Sequence, residues 1–169
     1  MKIAIIGYSG SGKSSLARTL AAHYHIPILH LDQVNFIDDW KQRPIEESKA
    51  IVSKMLDKSD WVIEGNYNEL LYEQRMEKAD QIIFMNFPRR VCLPRVIKRY
   101  HFYKGNVRPD MSSGCEEKLD LEFIYWVLYR GRIKRKRMAY QKLCEQYKEK
   151  ITVLCNQKAL DTYIQHLQR

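Results

Sequence analysis

Gly7-Tyr8-Ser9-Gly10-Ser11-Gly12-Lys13-Ser14 stands directly after the apolar run Ile3-Ala4-Ile5-Ile6 and directly before a helical pattern beginning at Ser15. Strand, phosphate loop and helix follow one another. The spacing is that of a Walker A loop, in which glycines let the backbone curl until successive N–H groups point at one anion. The N-terminus of the following helix adds its positive dipole end, Lys13 supplies a cation for the outer phosphates, and the Ser14 hydroxyl can ligate Mg²⁺. The expected nucleotide-binding set is therefore Gly7, Ser9, Gly10, Ser11, Gly12, Lys13, Ser14 and Ser15.

Around this loop the chain has the composition of one globular domain. It has 169 residues, 45% of them hydrophobic and 29% charged, with 7 Gly and 5 Pro, too apolar for a disordered segment. No apolar run approaches the length of a bilayer span, and no charged leader precedes the first strand, so the expected location is the cytoplasm. Cys92, Cys115, Cys144 and Cys155 never form a Cys-x-x-Cys pair, which leaves them as reduced packing thiols rather than a zinc or redox motif. The net charge of +9 is uneven: residues 1–80 carry 10 Lys/Arg against 12 Asp/Glu, and residues 81–169 carry 19 against 8. A basic second half suits a polyanionic partner, either a nucleic acid or the phosphates of a nucleotide over the loop.

Downstream of the loop, strands and helices alternate. Leu16, Leu20 and Tyr24 mark a helix that ends near His25, and Ile28-Leu29-His30-Leu31 is a short second strand. Asp32 then emerges at a strand's carboxyl end, where ligands of open α/β sheets gather. It can orient an acceptor hydroxyl or amine, or serve as a turn aspartate; His30 is expected to be structural. Residues 35–43 are irregular and aromatic, with Phe36 and Trp40, and a helix follows over 45–56. Arg43 is the one cation there within reach of an acceptor phosphate or carboxylate, or else a surface arginine. Trp61-Val62-Ile63 is the third strand, and Glu64 at its exit can hold a water of the Mg²⁺ shell. A helix over 69–78, the strand Ile82-Ile83-Phe84-Met85 and a helix opened by Pro88 come next. On that helix Arg95 and Arg99 share a face, suited to phosphate capture and base stacking.

Residues 101–118 form a long excursion without periodicity, which points to a functional loop. A helical face then runs from Leu119 to about Glu149, kinked at Gly131, and contains six cations between Arg130 and Arg137. They point in several directions, so Arg132 and Arg135, at i and i+3, are the pair expected to face a cleft. Ile151-Thr152-Val153-Leu154 is a fifth strand, and residues 159–167 a closing helix. Right-handed crossovers give an α/β fold of the P-loop nucleoside triphosphate hydrolase kind: a five-stranded parallel sheet with helices on both faces and a helical lid.

With these residues in view, the whole chain resembles the P-loop small-molecule kinases of adenylate and shikimate kinase type, and within them the family of DNA topology modulation proteins. The resemblance rests on the Gly7 to Ser14 loop, His30-Leu31-Asp32, Trp61 to Tyr67, Phe87-Pro88-Arg89 with Leu93-Pro94-Arg95 and Lys98-Arg99, Arg108-Pro109-Asp110-Met111 with Gly114-Cys115, and Asp120-Leu121-Glu122-Phe123 before Trp126. It implies a single domain over 1–169 with an acceptor flap at 35–57 and a lid at 101–137. By the same resemblance Arg95 and Arg99 contact the nucleotide base and bridge the phosphates, and Arg132 and Arg135 are lid arginines. Two departures stand out. Position 64 is Glu where that family has Asp, and residues 129–136 lack its proline, which predicts a more continuous lid helix.

The expected activity is Mg²⁺-dependent transfer of the γ-phosphoryl group of ATP to a small acceptor. Lys13, Arg95, Arg99, Arg132 and Arg135 would offset charge, Ser14 and Glu64 place the metal, and Asp32 handles the acceptor. The alternative is a nucleotide-dependent DNA-binding regulator that transfers nothing, supported by the basic half and by Tyr100, Phe102 and Tyr103 beside basic residues.

Overall fold

A computed structural model describes residues 1–167. Strand β1 (Lys2–Gly7) is buried from Ile3 onward, as a strand covered on both faces must be. It is followed by α1 (Lys13–Tyr24), β2 (Ile28–His30), the single turn α2 (Leu31–Asn35), the two-residue strands β3 (Phe36–Ile37) and β4 (Lys41–Gln42), and α3 (Ile45–Leu56). Next come β5 (Trp61–Glu64), α4 (Tyr72–Lys78), β6 (Gln81–Met85) and α5 (Arg89–Tyr103). The chain closes with α6 (Leu121–Leu128), α7 (Lys134–Gln146), β7 (Ile151–Leu154) and α8 (Gln157–Leu167).

Five strands form one parallel sheet in the order β2-β5-β1-β6-β7, flanked by helices; β3 and β4 pair antiparallel as a separate hairpin. The expected α/β architecture with a five-stranded parallel sheet is the one observed. Ile3, Ile5, Ile6, Ile63, Ile82 and Ile83 are fully buried at its centre, each worth roughly 1.5–3 kcal/mol relative to exposure. Helix α1 covers this core with Leu16, Ala17, Leu20 and Ala21. The register sets β1 centrally, with Ile5 beside Glu64 on one neighbour and Ile83 on the other. The carboxyl ends of β1, β2 and β5 therefore lie side by side, and the residues leaving them share one rim.

Several local expectations are corrected. Leu31 does not end a strand; it opens α2, so Asp32 sits in a helical first turn. Residues 35–43 are not irregular throughout but carry the β3–β4 hairpin. Helix α4 starts at Tyr72 rather than 69, because residues 65–71 are tied up in loop contacts described below. Helix α5 continues to Tyr103, so the irregular excursion starts only after it. The helical face beyond residue 119 is not continuous: α6 stops at Leu128, Arg130–Arg132 make one tight 3₁₀ turn, and α7 restarts at Lys134. A Cβ on Gly131 would lie 2.8 Å from the Trp126 carbonyl oxygen, so the break needs glycine there. Asp120 caps α6 by accepting the Phe123 amide at 2.7 Å.

Candidate active site

The phosphate loop leaves β1 at Gly7 and enters α1 at Lys13, with left-handed φ angles of 77° at Gly10 and 99° at Gly12. A side chain on Gly7 would meet the Met85 carbonyl oxygen at 2.5 Å, and one on Gly10 the Cys92 carbonyl oxygen at 2.6 Å. The loop thus lies flat against β6 and α5. Its first helical turn contains no acidic residue, and the cap is Gly12, so no side chain blocks the positive end of α1. Lys13 Nζ donates to the Tyr8 carbonyl at 3.1 Å, folded back over the loop. Desolvation lowers its pKa, against the pull of the Glu64 and Asp32 carboxylates. The Ser11 hydroxyl is buried in the loop with no partner among the described residues. A cradle with a desolvated ammonium, an orphaned hydroxyl and an open helix end has the chemistry of an anion site.

Glu64 ends β5 beside this loop. Its Oε1 accepts from Ser14 Oγ at 2.9 Å and lies 2.9 Å from His30 Nδ1. His30 is cross-strand from Glu64 in the β2–β5 ladder and buried, so the contact follows from register. An ionised carboxylate only accepts, so Nδ1 is the ring's donor nitrogen. His30, expected to be structural, is buried and holds Glu64 from behind, outside the cleft that Glu64 lines. Asp32 Oδ1 accepts from Tyr67 Oη at 2.7 Å. Desolvation and the neighbouring Glu64 raise the Asp32 pKa, while Tyr67, Lys13 and Arg108 oppose the rise. Desolvation and then Asp32 push the Tyr67 phenol upward as well. Asn66 completes this rim by accepting the Gly7 amide at 3.0 Å and donating to the Gly7 carbonyl at 2.6 Å.

Of the arginines, Arg95 donates to the Ser11 carbonyl at 2.9 Å and to Gln157, and its guanidinium lies 4.7 Å from the Phe87 ring. Arg132 stacks 3.7 Å from the Tyr8 ring centroid and donates to the Phe87 carbonyl at 2.9 Å. Both stand against the phosphate loop. Arg99, one turn beyond Arg95, turns to a different partner: its Nε donates to Glu117 Oε1 at 2.7 Å. Arg135 is exposed and does not line the cleft, so the structure does not bring it to the other residues of the set. Arg43 Nε donates to the Val34 carbonyl at 2.9 Å and is likewise outside the cleft lining.

The cleft above the loop has a volume of about 2140 Å³ and is lined by the phosphate loop, Asp32, Glu64, Tyr67, Arg95, Arg99 and Arg132. Its far wall is built by the expected flap and lid segments, through contacts that the sequence does not show. Residues 104–120 fold onto the β3–β4 hairpin through Ser113 Oγ on Asp38, Cys115 Sγ on the Ile37 carbonyl and Trp40 Nε1 on the Glu116 carbonyl. Gln33 Nε2 donates to the Pro109 carbonyl at 2.8 Å. Beneath them lies a buried ionic cluster: Arg108 pairs with Asp110 at 2.7 Å and with Glu117 at 2.5 Å, and Asp110 reaches Arg18 at 3.3 Å. These residues are 8%, 4% and 5% exposed for Arg108, Asp110 and Glu117, so their charges must be matched by one another. Desolvation works to raise the Asp110 pKa, but Arg108, Ser14, His30 and Arg18 outweigh it and hold the carboxyl below its ordinary value. Its pairs therefore add stability above about pH 4 that is lost as pH falls through the lower native value. Asp110→Asn is expected to flatten the acid limb of a Tm-against-pH curve; an acid limb parallel to the parent's would contradict this.

No protein-family model and no curated protein sequence matches the chain. Solved structures do. A shikimate kinase from Bacteroides thetaiotaomicron superposes with a TM-score of 0.51 at 16% identity, over 99% of this chain and 96% of that one. A protein described as a candidate kinase from Chloroflexus aurantiacus gives 0.54 at 13% identity, over 99% and 97%. The chain has a P-loop kinase-like fold. An uncharacterised protein from Eubacterium ventriosum shares it, with a TM-score of 0.52 at 17% identity over 99% and 98%. At these identities the likeness carries the architecture, and the chemistry rests on the residues themselves. Among the described residues no helix is long and apolar enough to cross a membrane.

Proposed function

We propose that the protein is an ATP-dependent, Mg²⁺-dependent phosphotransferase acting on a small-molecule hydroxyl. The observation that carries this reading is the convergence on one rim of an anion cradle, a Ser14–Glu64 pair and the Asp32–Tyr67 pair. A site that only bound nucleotide would have no use for the last. In this reading the loop amides and Lys13 bind the β- and γ-phosphates, and Arg95 and Arg132 offset charge from behind the loop. Asp32, with its raised pKa, accepts the acceptor's proton, and Tyr67 keeps its carboxylate turned toward the cleft. Ser14 and Glu64 would hold Mg²⁺, which when bound shields the charge of the transferring phosphate. The β3–β4 hairpin within 35–57 is the acceptor flap, and residues 104–120 with α6 and the start of α7 form the lid within 101–137. Arg99 serves as a strut to Glu117, and Arg135 has no part in the chemistry.

The test supplies γ-labelled ATP, Mg²⁺ and a deproteinised small-molecule extract. Label is expected in a new small product, only when Mg²⁺ is present. ATP consumed equally fast with and without extract, and no labelled product, would identify a plain nucleotidase. The role of His30 gives a separate check. His30→Ala is expected to raise the Mg²⁺ concentration needed for ATP binding about tenfold, the low end for loss of a partner behind a metal-holding group. His30→Asn, which keeps a donor near Nδ1, should restore part of the loss, with Tm as the control for folding.

A second reading has its own observation. Lys134, Arg135 and Arg137 are exposed away from the cleft, and Phe102 is 77% exposed. Such a surface suits the nucleic-acid partner that the resemblance to DNA topology modulation proteins suggests. Retention of duplex DNA that falls steeply with salt and vanishes when these three cations are neutralised would favour it; no retention at moderate salt would exclude it.

A further inference from the structure

Helix α6 leaves one of its faces without a protein partner. Leu121, Tyr125 and Tyr129 follow one another at intervals of four, so they form a single row along the helix, and they are 84%, 56% and 54% exposed. The Tyr125 and Tyr129 rings stand 5.5 Å apart, and none of the three side chains packs on the described core or lines the cleft. The opposite side of the same helix does both: Phe123 and Val127 join the core, and Trp126 lines the cleft. The row therefore lies on the outer surface of the lid. Apolar groups exposed singly are ordinary on a protein surface; three in a row on one helix face mark a contact surface.

The surroundings of the row are basic. Arg89 lies 5.5 Å from the Tyr129 ring and donates to the Leu128 carbonyl at 3.1 Å. Glu122, the acid beside the row, is faced by Arg130 at 3.5 Å. Helix α5 packs on α6 and contains no acidic residue, and it exposes Arg90 and Lys98. The first turn of α7 has no acidic residue either, and Lys134, Arg135 and Arg137 are exposed on it. A small apolar strip thus stands in a field of cations whose natural complement is an anionic surface.

These charges choose among occupants. A second copy of the chain would set cation against cation, and α6, with eight residues and so about 12 Å of length, offers far less than the roughly 800 Å² per partner of a stable dimer. A nucleic acid would use the cations and the tyrosine rings but has no use for Leu121, the most exposed of the three. An anionic lipid surface uses all of them: the leucine enters the acyl boundary, the phenols sit at headgroup depth and the cations meet the phosphodiesters. We infer that the outer face of α6 docks the protein on an anionic phospholipid surface, lying on it rather than spanning it. So short a row binds weakly by itself, and the apolar row and the cations are both required. The inference goes beyond the phosphotransferase reading and does not depend on it. None of the three row residues lines the cleft, so docking and nucleotide binding do not compete.

Cosedimentation of the full chain with vesicles tests this. At about 0.15 M salt, vesicles of phosphatidylcholine with roughly 30% phosphatidylglycerol are expected to hold the protein at least tenfold more tightly than phosphatidylcholine alone. Leu121→Gln combined with Tyr125→Gln, which keeps good helix formers on α6, is expected to weaken that binding at least tenfold at unchanged Tm. Should the pair melt lower, Leu121→Gln alone, at the most exposed position, is expected to weaken it about threefold. Equal binding to the two kinds of vesicle, or to neither, overturns the inference. So does a double variant that binds within about threefold of the parent, which would leave charge alone as the cause. Duplex DNA retained at the same salt and released by the same two substitutions would give the face to nucleic acid, and a dimer in light scattering that they dissociate would give it to a second copy; each overturns the lipid assignment.

Discussion

Lys13→Ala is expected to slow phosphate transfer about a thousandfold, the upper range for loss of one preorganised charge at a reacting centre, while leaving Tm unchanged or slightly raised. The two halves of this expectation share one cause. The ammonium donates to a single carbonyl, that of Tyr8, and desolvation already lowers its pKa. Burying a charge with so little compensation does not stabilise the fold, so removing it releases strain of an electrostatic kind. The same desolvation makes the group effective once an anion arrives, because a charge in a dry site acts with little screening. Single-turnover transfer of the γ-label checks the rate, and a thermal melt checks the fold. A rate within threefold of the parent would remove the loop from the chemistry. A Tm fall of several degrees would show instead that Lys13 is a structural residue of the loop.

How much of this was legible beforehand depends on the range of the signal. Ile3 to Ile6, Trp61 to Ile63 and Ile82 to Met85 are unbroken apolar runs, Ile151 to Leu154 is broken only by the β-branched Thr152, and each lies in a strand of the parallel sheet. The loop between β1 and α1 is a local motif, and its glycines have the positive φ angles their type allows. The far wall of the cleft has no such signature. Ser112, Ser113, Cys115 and Pro109 touch residues 75 to 79 positions away, through single hydrogen bonds that leave no periodic trace. Strands of two residues, like β3 and β4, are too short to show alternation. The His30–Glu64 contact needed the β2–β5 register, which no single stretch encodes. One signal could have been used: Asp120 before an apolar run is a helix cap, and it marks the start of α6. Arg135 lies away from the cleft because Gly131 and the turn at Arg130–Arg132 reset the helical phase that an i, i+3 spacing from Arg132 assumes.

The largest stability effect is expected far from any reacting atom, at Arg75. This side chain is 0% exposed and pairs with no carboxylate among the described residues. Its Nε donates to the Leu70 carbonyl at 2.9 Å, Nη1 to the Gly65 carbonyl at 3.1 Å and Nη2 to the Tyr67 carbonyl at 2.5 Å, with the Tyr72 ring 5.3 Å away. Burial pushes its pKa down to about 10, so it remains charged at neutral pH. One guanidinium therefore satisfies three carbonyls of residues 65–70, a stretch with no regular backbone pairing of its own. Arg75→Met keeps much of the volume and removes every donor. Each orphaned carbonyl costs roughly 1–3 kcal/mol, and relief from burying the charge offsets part of the sum. A net loss of about 3 kcal/mol remains, which for a domain of this size lowers Tm by roughly 6–12 °C. Arg75→Lys should fall between, since one ammonium cannot span all three oxygens. The loss should also be felt in function in a particular order. The Tyr67 carbonyl is one of the three, and the Tyr67 hydroxyl orients Asp32, so acceptor use should weaken before ATP affinity does. Melting curves and ATP titrations at a temperature where the variant is folded separate the two effects. A Tm within 2 °C of the parent would mean that residues 65–71 hold their shape without Arg75.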